Sequence, residues 1–272
     1  WGDGHAQTAA PTGNYARRLH DLGRDREAEH FARKVLAINR QTFGDDHPYI
    51  GLALDNVALI LIELDQADQT FELLREAERI HLERSPEGWV AVNHIRQAWA
   101  YLALGEVESA LELARGALAY QQEREPPRAD ALIAALLVTG AAEHDAGDAS
   151  QAQRHFEAAI PLVGAHGLSE SPDGARPYLG LGRSLLATGE HERARPHLEL
   201  AARLYDEKLP SGHWRRIEAE TLLSLLAGDA AATADGLRRL EEDRGRGHWR
   251  VEALQRLRDR VLGSGEPEAG EG

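Results

Sequence analysis

The chain contains no cysteine, and this absence excludes several kinds of chemistry. Disulfide bridges, thiolate zinc sites and cysteine nucleophiles are ruled out, and the composition fits a reducing compartment, so we expect a cytoplasmic location. The sequence also lacks an apolar run near the roughly 20 residues that a membrane helix needs. No basic segment followed by an apolar one opens the chain, as a signal peptide would. We therefore predict no membrane partner.

Positive charge is scarce relative to negative charge. The 31 Lys and Arg residues are outnumbered by 45 Asp and Glu residues, which gives a formal net charge of -14. Binding to nucleic acid depends on neutralising phosphates, so this balance predicts no nucleic-acid partner. The 13 histidines are mostly isolated, no HExxH spacing occurs, and no nucleophile, base and orienting group stand out. We therefore predict no metal site, no cofactor and no catalytic residues, and thus a protein that is not an enzyme.

A period of about 42 residues runs through the chain. Five turn residues define it, namely Gly23, Asp65, Gly105, Gly147 and Gly189. Seven residues before each turn stands a small residue, in the order Ala16, Ala58, Ala98, Gly140 and Gly182. The segments on both sides have the apolar spacing of amphipathic helices, and no segment alternates with period two. The pattern predicts antiparallel helical hairpins whose small residues let the two helices approach closely.

The predicted architecture is an all-α, right-handed α-solenoid of such hairpins, closed by a C-terminal capping helix. The predicted divisions are a lead-in or remnant of a preceding repeat at 1–13, five repeats at 14–208, a degenerate sixth hairpin at 209–246, the capping helix at 247–262, and a disordered acidic tail at 263–272.

The tetrapeptide Gly-His-Trp-Arg occurs twice, at residues 212–215 and 247–250. It could form a binding site, or it could mark the start of a helix. His213 stands at the same place in its shortened repeat as His47 does in the second repeat, which favours the structural interpretation. Trp214 and Trp249 would then pack each entering helix onto the preceding one. Two exposed and adjacent indoles would instead favour a stacking platform.

The spacing of small residues, together with His47-Pro48 and the following LALDNVALILIELDQADQTFELLREA, resembles the tetratricopeptide repeat. The 42-residue period is similar to the variant found in kinesin light chains and many bacterial regulatory proteins, and the resemblance covers roughly residues 14–208. After residue 208 the repeat pattern degrades, and this part, which contains LPSGHW, is similar to the C-terminal part of repeat regions attached to bacterial serine/threonine protein kinases. No kinase motif is present. Because the chain begins with Trp1 rather than methionine, we expect it to be part of a longer protein.

The resemblance implies that a peptide or protein partner binds in a concave groove lined by the first helix of each hairpin. The groove positions are Arg17, His20, Asp55, Asn56, Leu59, Ile95, Arg96, Trp99, Val138, His144 and Arg183. Asn56 matches the family asparagine that hydrogen-bonds the backbone of a bound peptide. Trp99 is either an anchor for a partner or a core residue between first helices. Arg17, Arg96 and Arg183 are either a basic track for an acidic segment or solvated side chains.

Two functions are compatible with these features. The first is a non-enzymatic scaffold that binds a peptide or partner segment, as a regulatory part of a larger bacterial signalling protein. The alternative is a sensory module that encloses a small molecule or signalling peptide and changes its superhelical pitch. A closed apolar pocket around Trp99 would favour the alternative, and an open groove would favour the scaffold.

Overall fold

The structure is a computed structural model that describes residues 6–84, 88–125, 128–245 and 247–263. Within these ranges the chain forms thirteen α-helices, one short 3-10 segment at Ala67–Gln69 and no strand, which confirms the all-α prediction. The helices are α1 (Ala6–Asp21), α2 (Asp25–Phe43), α3 (Pro48–Glu63), α4 (Thr70–Arg84), α5 (Trp89–Ala103), α6 (Val107–Glu123), α7 (Ala129–Asp145), α8 (Ala149–Ala165), α9 (Pro172–Ala187), α10 (His191–Lys208), α11 (Trp214–Leu226), α12 (Ala230–Arg244) and α13 (Trp249–Gly263). Among these helices, none combines the length and the apolar character needed to cross a membrane.

The chain divides into two compact units, Trp1–Val138 and Thr139–Gly272, and the division falls within α7. In unit 1, α1 pairs with α2, α3 with α4 and α5 with α6, and the first helices α3 and α5 also touch each other directly. In unit 2, α9 pairs with α10 and α11 with α12, while α13 packs against α12 and also reaches α9. Each unit is therefore built from consecutive helical hairpins.

Every predicted turn residue has the left-handed backbone that the period required. The φ angles are 73° at Gly23, 59° at Asp65, 76° at Gly105, 89° at Gly147 and 77° at Gly189. Gly228, in the turn between α11 and α12, has a φ of 72° as well. In each turn the next amide donates back to a carbonyl five residues earlier, as Arg24 N does to Leu19 O at 2.9 Å and Gln66 N to Leu61 O at 2.9 Å. This hydrogen bond ends the first helix of the hairpin and reverses the chain direction, because it satisfies a carbonyl that has no partner within the helix.

Close helix contacts depend on the small residues of the repeat. The Phe156 side chain of α8 is buried between Gly140 of α7 and Gly180 of α9. A Cβ atom added at Gly140 would lie 2.9 Å from the Phe156 ring, and one at Gly180 would lie 2.4 Å from it. Because the ring is in close contact with both glycines, it cannot move away from a side chain added at either one. Both positions therefore require glycine.

The helix bounds differ from the predicted divisions at the beginning of the chain. Helix α1 begins at Ala6, so residues 6–13 belong to the first hairpin and not to a separate lead-in. Helices α3 and α9 likewise begin seventeen residues before their turn residues, so the start of α1 agrees with that of other first helices. Residues 264–272 of the predicted acidic tail lie outside the described residues, as do residues 1–5.

Candidate functional site

Helices α3 and α5 of unit 1 present equivalent side chains at equivalent positions. Asn56 and Arg96 stand nine residues before their turn residues, and Leu59 and Trp99 stand six before. Asn56 is exposed, and the other three side chains are partly exposed. Helices α3 and α5 are in direct contact, and we call these four residues, at equivalent positions of the two helices, the α3–α5 face. It combines an amide, an apolar side chain, an indole and a guanidinium.

Positive charge gathers beside the α3–α5 face. Burial lowers the pKa of the Arg96 guanidinium, the negative charge of Asp55 opposes this shift, and the positive charge of Arg17 adds to it. Within the described part of the chain, the buried Nε of Arg96 has no hydrogen-bond partner. Arg17 on α1 is exposed. The structure thus brings two of the predicted groove arginines, Arg17 and Arg96, close enough to influence each other, and the Asp55 carboxylate acts on Arg96 as well.

Asp55 is buried, although it was predicted to line the groove. Its Oδ2 atom accepts from Nε2 of His81 on α4 at 2.9 Å, and its Oδ1 atom accepts from Nδ2 of Asn93 on α5 at 2.7 Å. Asn93 Nδ2 also donates to the backbone oxygen of Leu74 at 3.1 Å. Asp55 therefore joins three helices inside unit 1, where its oxygens are used in the fold and are not presented to a partner.

Other predicted groove residues are also placed in packing positions. Ile95 and Val138 are buried apolar side chains, so they are not accessible from a groove. His20 is mostly covered, and its Nδ1 lies 2.7 Å from Asp25 Oδ1 across the first turn. These three residues hold helices together within unit 1, and the accessible predicted residues of unit 1 are Arg17 and those of the α3–α5 face.

Two predicted residues, His144 and Arg183, lie in unit 2. His144 is buried, and its Nδ1 is 3.1 Å from the Ser184 hydroxyl. Its pKa lies well below the usual range, first because of burial and then because of the positive charges of Arg183 and Arg260. Arg183 is partly exposed. His144 is consequently a neutral core histidine at neutral pH, and Arg183 lies beside it.

An exposed asparagine on α1 also occupies the repeat position of Asn56, although the sequence analysis did not single it out. Asn14 on α1 is exposed and stands nine residues before Gly23, the same register as Asn56. The signal was present in the period of the repeat, but position 14 coincides with the predicted beginning of the first hairpin. The exposed asparagine therefore occurs in two repeats of unit 1, and not in one.

The two GHWR segments begin helices, as the structural interpretation predicted. The Nδ1 atoms of His213 and His248 accept hydrogen bonds from the amides of Arg215 and Arg250, at 3.1 Å and 3.2 Å. His47 does the same at the start of α3, where its Nδ1 is 3.2 Å from the amide of Tyr49. Trp214 and Trp249 are only 5% and 8% exposed, so the alternative of two exposed stacking indoles is wrong.

The described residues contain no group of three His, Asp or Glu side chains that could hold a metal ion. A cavity of about 270 Å³ lies in unit 2, lined by residues of α11, α12 and α13 that include Leu225, Thr233, Arg258 and Leu262. Trp99, on α5 of unit 1, is not among its lining residues. It is therefore not the closed apolar pocket around Trp99 that would favour the sensory alternative.

The sequence of α1, α2 and the turn between them identifies the type of repeat. Residues 12–49 match the family model described as Tetratricopeptide repeat. The chain has the tetratricopeptide-repeat fold. A search of curated proteins found no match to this chain.

Solved structures share this fold over most of the chain. A Rap protein complexed with Competence and Sporulation Factor is 13% identical with a TM-score of 0.71, covering 92% of this chain and 72% of its own. The Rap conjugation gene regulator of the plasmid pLS20, in complex with the Phr* peptide, is 15% identical with a TM-score of 0.70, covering 96% of this chain and 75% of its own. Nearly identical TPR-like repeats from a protein described as a kinesin light chain of Podosopora anserina are 23% identical with a TM-score of 0.52, covering 73% of this chain and 94% of theirs. At these identities the likeness concerns the fold.

Proposed function

We propose that this protein is a non-enzymatic scaffold that binds an extended peptide segment of a protein partner along the α3–α5 face of unit 1. The observation that carries the proposal is that two first helices in direct contact carry an exposed amide, Asn56, and a partly exposed indole, Trp99. The proposal includes a regulatory role within a larger bacterial signalling protein in the cytoplasm, as the resemblance of the repeats suggests.

The chemistry of this face suits a peptide backbone. The Asn56 amide both donates and accepts, so it can pair with one peptide group of an extended segment. The Trp99 indole and Leu59 offer apolar surface for a side chain of the partner, and aromatic side chains contribute disproportionately to binding energy at interfaces. Arg17 and Arg96 favour a peptide that carries an acidic side chain near this contact, because a guanidinium pairs well with a carboxylate.

The fold itself adds support. Two Rap proteins that share this fold are each complexed with a peptide or factor by name, at TM-scores of 0.71 and 0.70. The helical hairpin architecture therefore accommodates such ligands in other proteins. Which ligand this chain accepts depends on its own exposed side chains, and those are the residues of the α3–α5 face.

The experiment begins with a displayed library of random peptides selected on the full chain. The affinity of the enriched peptides is measured by calorimetry for the wild type and for the double variant Asn56→Ala with Trp99→Ala. We expect the double variant to bind at least about tenfold more weakly, because it lacks an amide pair and an aromatic anchor.

The matched control is Leu82→Ala, which removes a 63% exposed apolar side chain from the second helix α4. This variant should bind the selected peptides as the wild type does. Unchanged affinity in the double variant, with both variants folded, would contradict the proposal, and so would a selection that enriches no peptide.

A further inference from the structure

Three aromatic rings lie together at the surface of unit 1, where α2 ends and α3 begins. Phe43 stacks on His47 with 4.6 Å between the ring centroids, and the His47 and Tyr49 centroids are 4.8 Å apart. Phe43 and Tyr49 meet edge to face at 5.3 Å. Phe43 is 43% exposed and Tyr49 is 51% exposed. Single exposed aromatic residues are common, but three rings in mutual contact form a continuous surface patch. We call Phe43, His47 and Tyr49 the aromatic cluster.

The backbone holds the aromatic cluster in a defined arrangement. The Nδ1 atom of His47 accepts from the Tyr49 amide at 3.2 Å, and the Asn39 side chain donates to the Tyr49 backbone oxygen at 3.4 Å. The amide of Gly44 donates to the Arg40 carbonyl at 3.0 Å, which ends α2 directly after Phe43. Because the segment that carries the rings is already ordered, a partner that binds them loses little conformational entropy there.

The exposure of these rings is not explained by the way a helix begins in this protein. His213 and His248 accept from the amide two residues later, as His47 does, and their imidazoles are only 4% and 1% exposed. The tryptophan that follows each of them is buried as well. The start of α3 therefore accounts for the position of His47, but it does not require exposed rings at Phe43 and Tyr49.

A carboxylate stands within the loop that carries the aromatic cluster. Asp45 lies between Phe43 and His47 in sequence, and its side chain is 78% exposed. Its neighbour Arg40 binds both carboxylate oxygens of Glu76, at 2.7 Å and 2.9 Å. The Nε atom of Arg40 is 3.4 Å from Asp45 and makes no hydrogen bond to the residues that the structure describes. Asp45 therefore remains able to accept hydrogen bonds from a cationic partner.

The ion pairs around this loop leave an excess of negative charge. Arg79 on α4 binds Asp46 at 2.7 Å and Glu83 at 3.2 Å. Together with the pairs that Arg40 makes to Asp45 and Glu76, four carboxylates share two guanidiniums. This local excess has the same sign as the net charge of the chain, -14. The potential beside the aromatic cluster thus favours a cation over an anion or a neutral group.

We propose that the aromatic cluster, together with Asp45, is a docking surface for an arginine side chain of a protein partner. A guanidinium is planar and weakly hydrated, so it can stack on an exposed ring while its N–H groups donate to a carboxylate. A lysine ammonium offers the same charge without a flat surface to stack. The proposal goes beyond the proposed function and does not depend on it, since the α3–α5 face favours an acidic segment and this surface favours a basic one.

The test is a titration of the full chain at physiological ionic strength, followed by the NMR signals of the Phe43 and Tyr49 rings. The probes are the peptides acetyl-Arg-Gly-Arg-amide and acetyl-Lys-Gly-Lys-amide, which carry the same charge. We expect the arginine peptide to shift both ring signals and to bind at least about threefold more tightly than the lysine peptide. Equal affinity of the two peptides, or ring signals that do not move, would overturn the proposal.

Variants separate the contribution of the rings from that of the charge. Phe43→Ala with Tyr49→Ala should weaken binding of the arginine peptide about fivefold, because the stacking surface is lost. Asp45→Asn should weaken the binding of both peptides, because it removes charge and leaves the rings. The matched controls are Tyr120→Ala, a 41% exposed tyrosine on α6, and Asp68→Asn, an exposed position after the other end of α3. Ring and charge variants that bind the arginine peptide as tightly as these controls do would contradict the assignment.

The same titration distinguishes this inference from the proposed function. The double variant Asn56→Ala with Trp99→Ala should bind the arginine peptide as the wild type does, since it leaves the aromatic cluster and Asp45 intact. If that variant stayed folded and lost the arginine peptide, the binding would belong to the α3–α5 face and the inference would be wrong. A peptide selection that enriches nothing would contradict the proposed function, but it would not change the arginine binding expected here.

Discussion

In unit 1, the buried carboxylate of Asp55 has a donor on each side, His81 at 2.9 Å and Asn93 at 2.7 Å. In unit 2, three guanidiniums lie over the buried Trp214 ring, the closest at 4.3 Å. The first arrangement satisfies a buried charge by hydrogen bonds within the fold, and the second places several cations around one aromatic ring. Buried charge is thus accommodated by a hydrogen-bond network in unit 1 and by cation–π contacts in unit 2.

The two units also differ in how they fill the space between paired helices. At the same repeat position, unit 1 uses Ala58 and Ala98, whereas unit 2 uses Gly140 and Gly182. The facing residue in the fourth repeat is Phe156, and in the fifth repeat an added Cβ would lie 2.5 Å from Leu198. The glycines of unit 2 leave room for the Phe156 and Leu198 side chains to pack directly against the backbone of the paired helix.

The largest expected effect comes from removing the indole that organises unit 2. Trp214→Ala should lower the free energy of unfolding by about 3–5 kcal/mol, because it empties a buried site and leaves three guanidiniums without their ring. Urea denaturation followed by circular dichroism measures this. The control is Trp99→Ala in unit 1, whose indole is partly exposed and whose loss should be clearly smaller. Equal losses would contradict the contrast between the two tryptophans.

The next effect tests the carboxylate of unit 1. Asp55→Ala should lower the free energy of unfolding by about 2–4 kcal/mol, because two buried donors lose their acceptor. The matched control is Asp45→Ala, where the side chain is 78% exposed and should contribute less than about 0.5 kcal/mol. If Asp55→Ala proved as mild as Asp45→Ala, the buried network would not support the fold as we describe.

Two glycine substitutions should have effects of opposite sign. Gly180→Ala in unit 2 should destabilise by about 1–3 kcal/mol, since the added carbon would overlap the Phe156 ring. Gly116→Ala in α6 of unit 1 meets no atom within 4 Å and should stabilise by about 0.5–1 kcal/mol through helix propensity. Thermal unfolding of both variants measures the difference. Stabilisation by Gly180→Ala would contradict the tight packing on both sides of the ring.

The smallest effect concerns pH and the buried His144 of unit 2. Because its folded pKa is depressed, the neutral form belongs to the folded state, and its contribution to stability is complete above the unfolded pKa of about 6.5. As the pH falls below that value, the unfolded state takes up the proton first, and stability decreases by up to about 1.4 kcal/mol per pH unit. His144→Gln should remove this part of the decrease, measured by urea denaturation between pH 7.5 and 5.5.

The control for this measurement is His166→Gln, at an exposed position of the same unit. It should leave the pH dependence of the wild type unchanged. A pH dependence that is identical in the wild type and in His144→Gln would mean that His144 takes up a proton as readily in the folded chain as in the unfolded one.

The turns could be predicted from the sequence because each requires a left-handed residue, and glycine recurs there with a fixed period. The start of α11 could be predicted for a similar reason, since His213 and His47 occupy the same place before a helix. The sequence could not predict which of two neighbouring side chains is buried and which is exposed. Asp55 and Asn56 are adjacent, yet a rotation of about 100° per residue turns one into the core and the other outward. Which is which depends on where α4 and α5 cross α3.

The grouping of arginines around Trp214 could not be predicted from the sequence for a different reason. The repetition of GHWR showed two of its arginines, and the acidic composition argued against a basic site. Arg176 joins Arg215 and Arg250 only because α13 packs back toward α9. Such a convergence has no signature in spacing along the chain, since it depends on the direction of the last helix.

The most direct test of the account is amide hydrogen exchange of the full chain, with and without a saturating peptide from the library selection. We predict that the peptide slows exchange in α3 and α5, Pro48–Glu63 and Trp89–Ala103, with the largest change near Asn56 and Trp99. Protection that leaves both helices unchanged and appears only in other helices would contradict the assignment of the α3–α5 face as the peptide-binding surface.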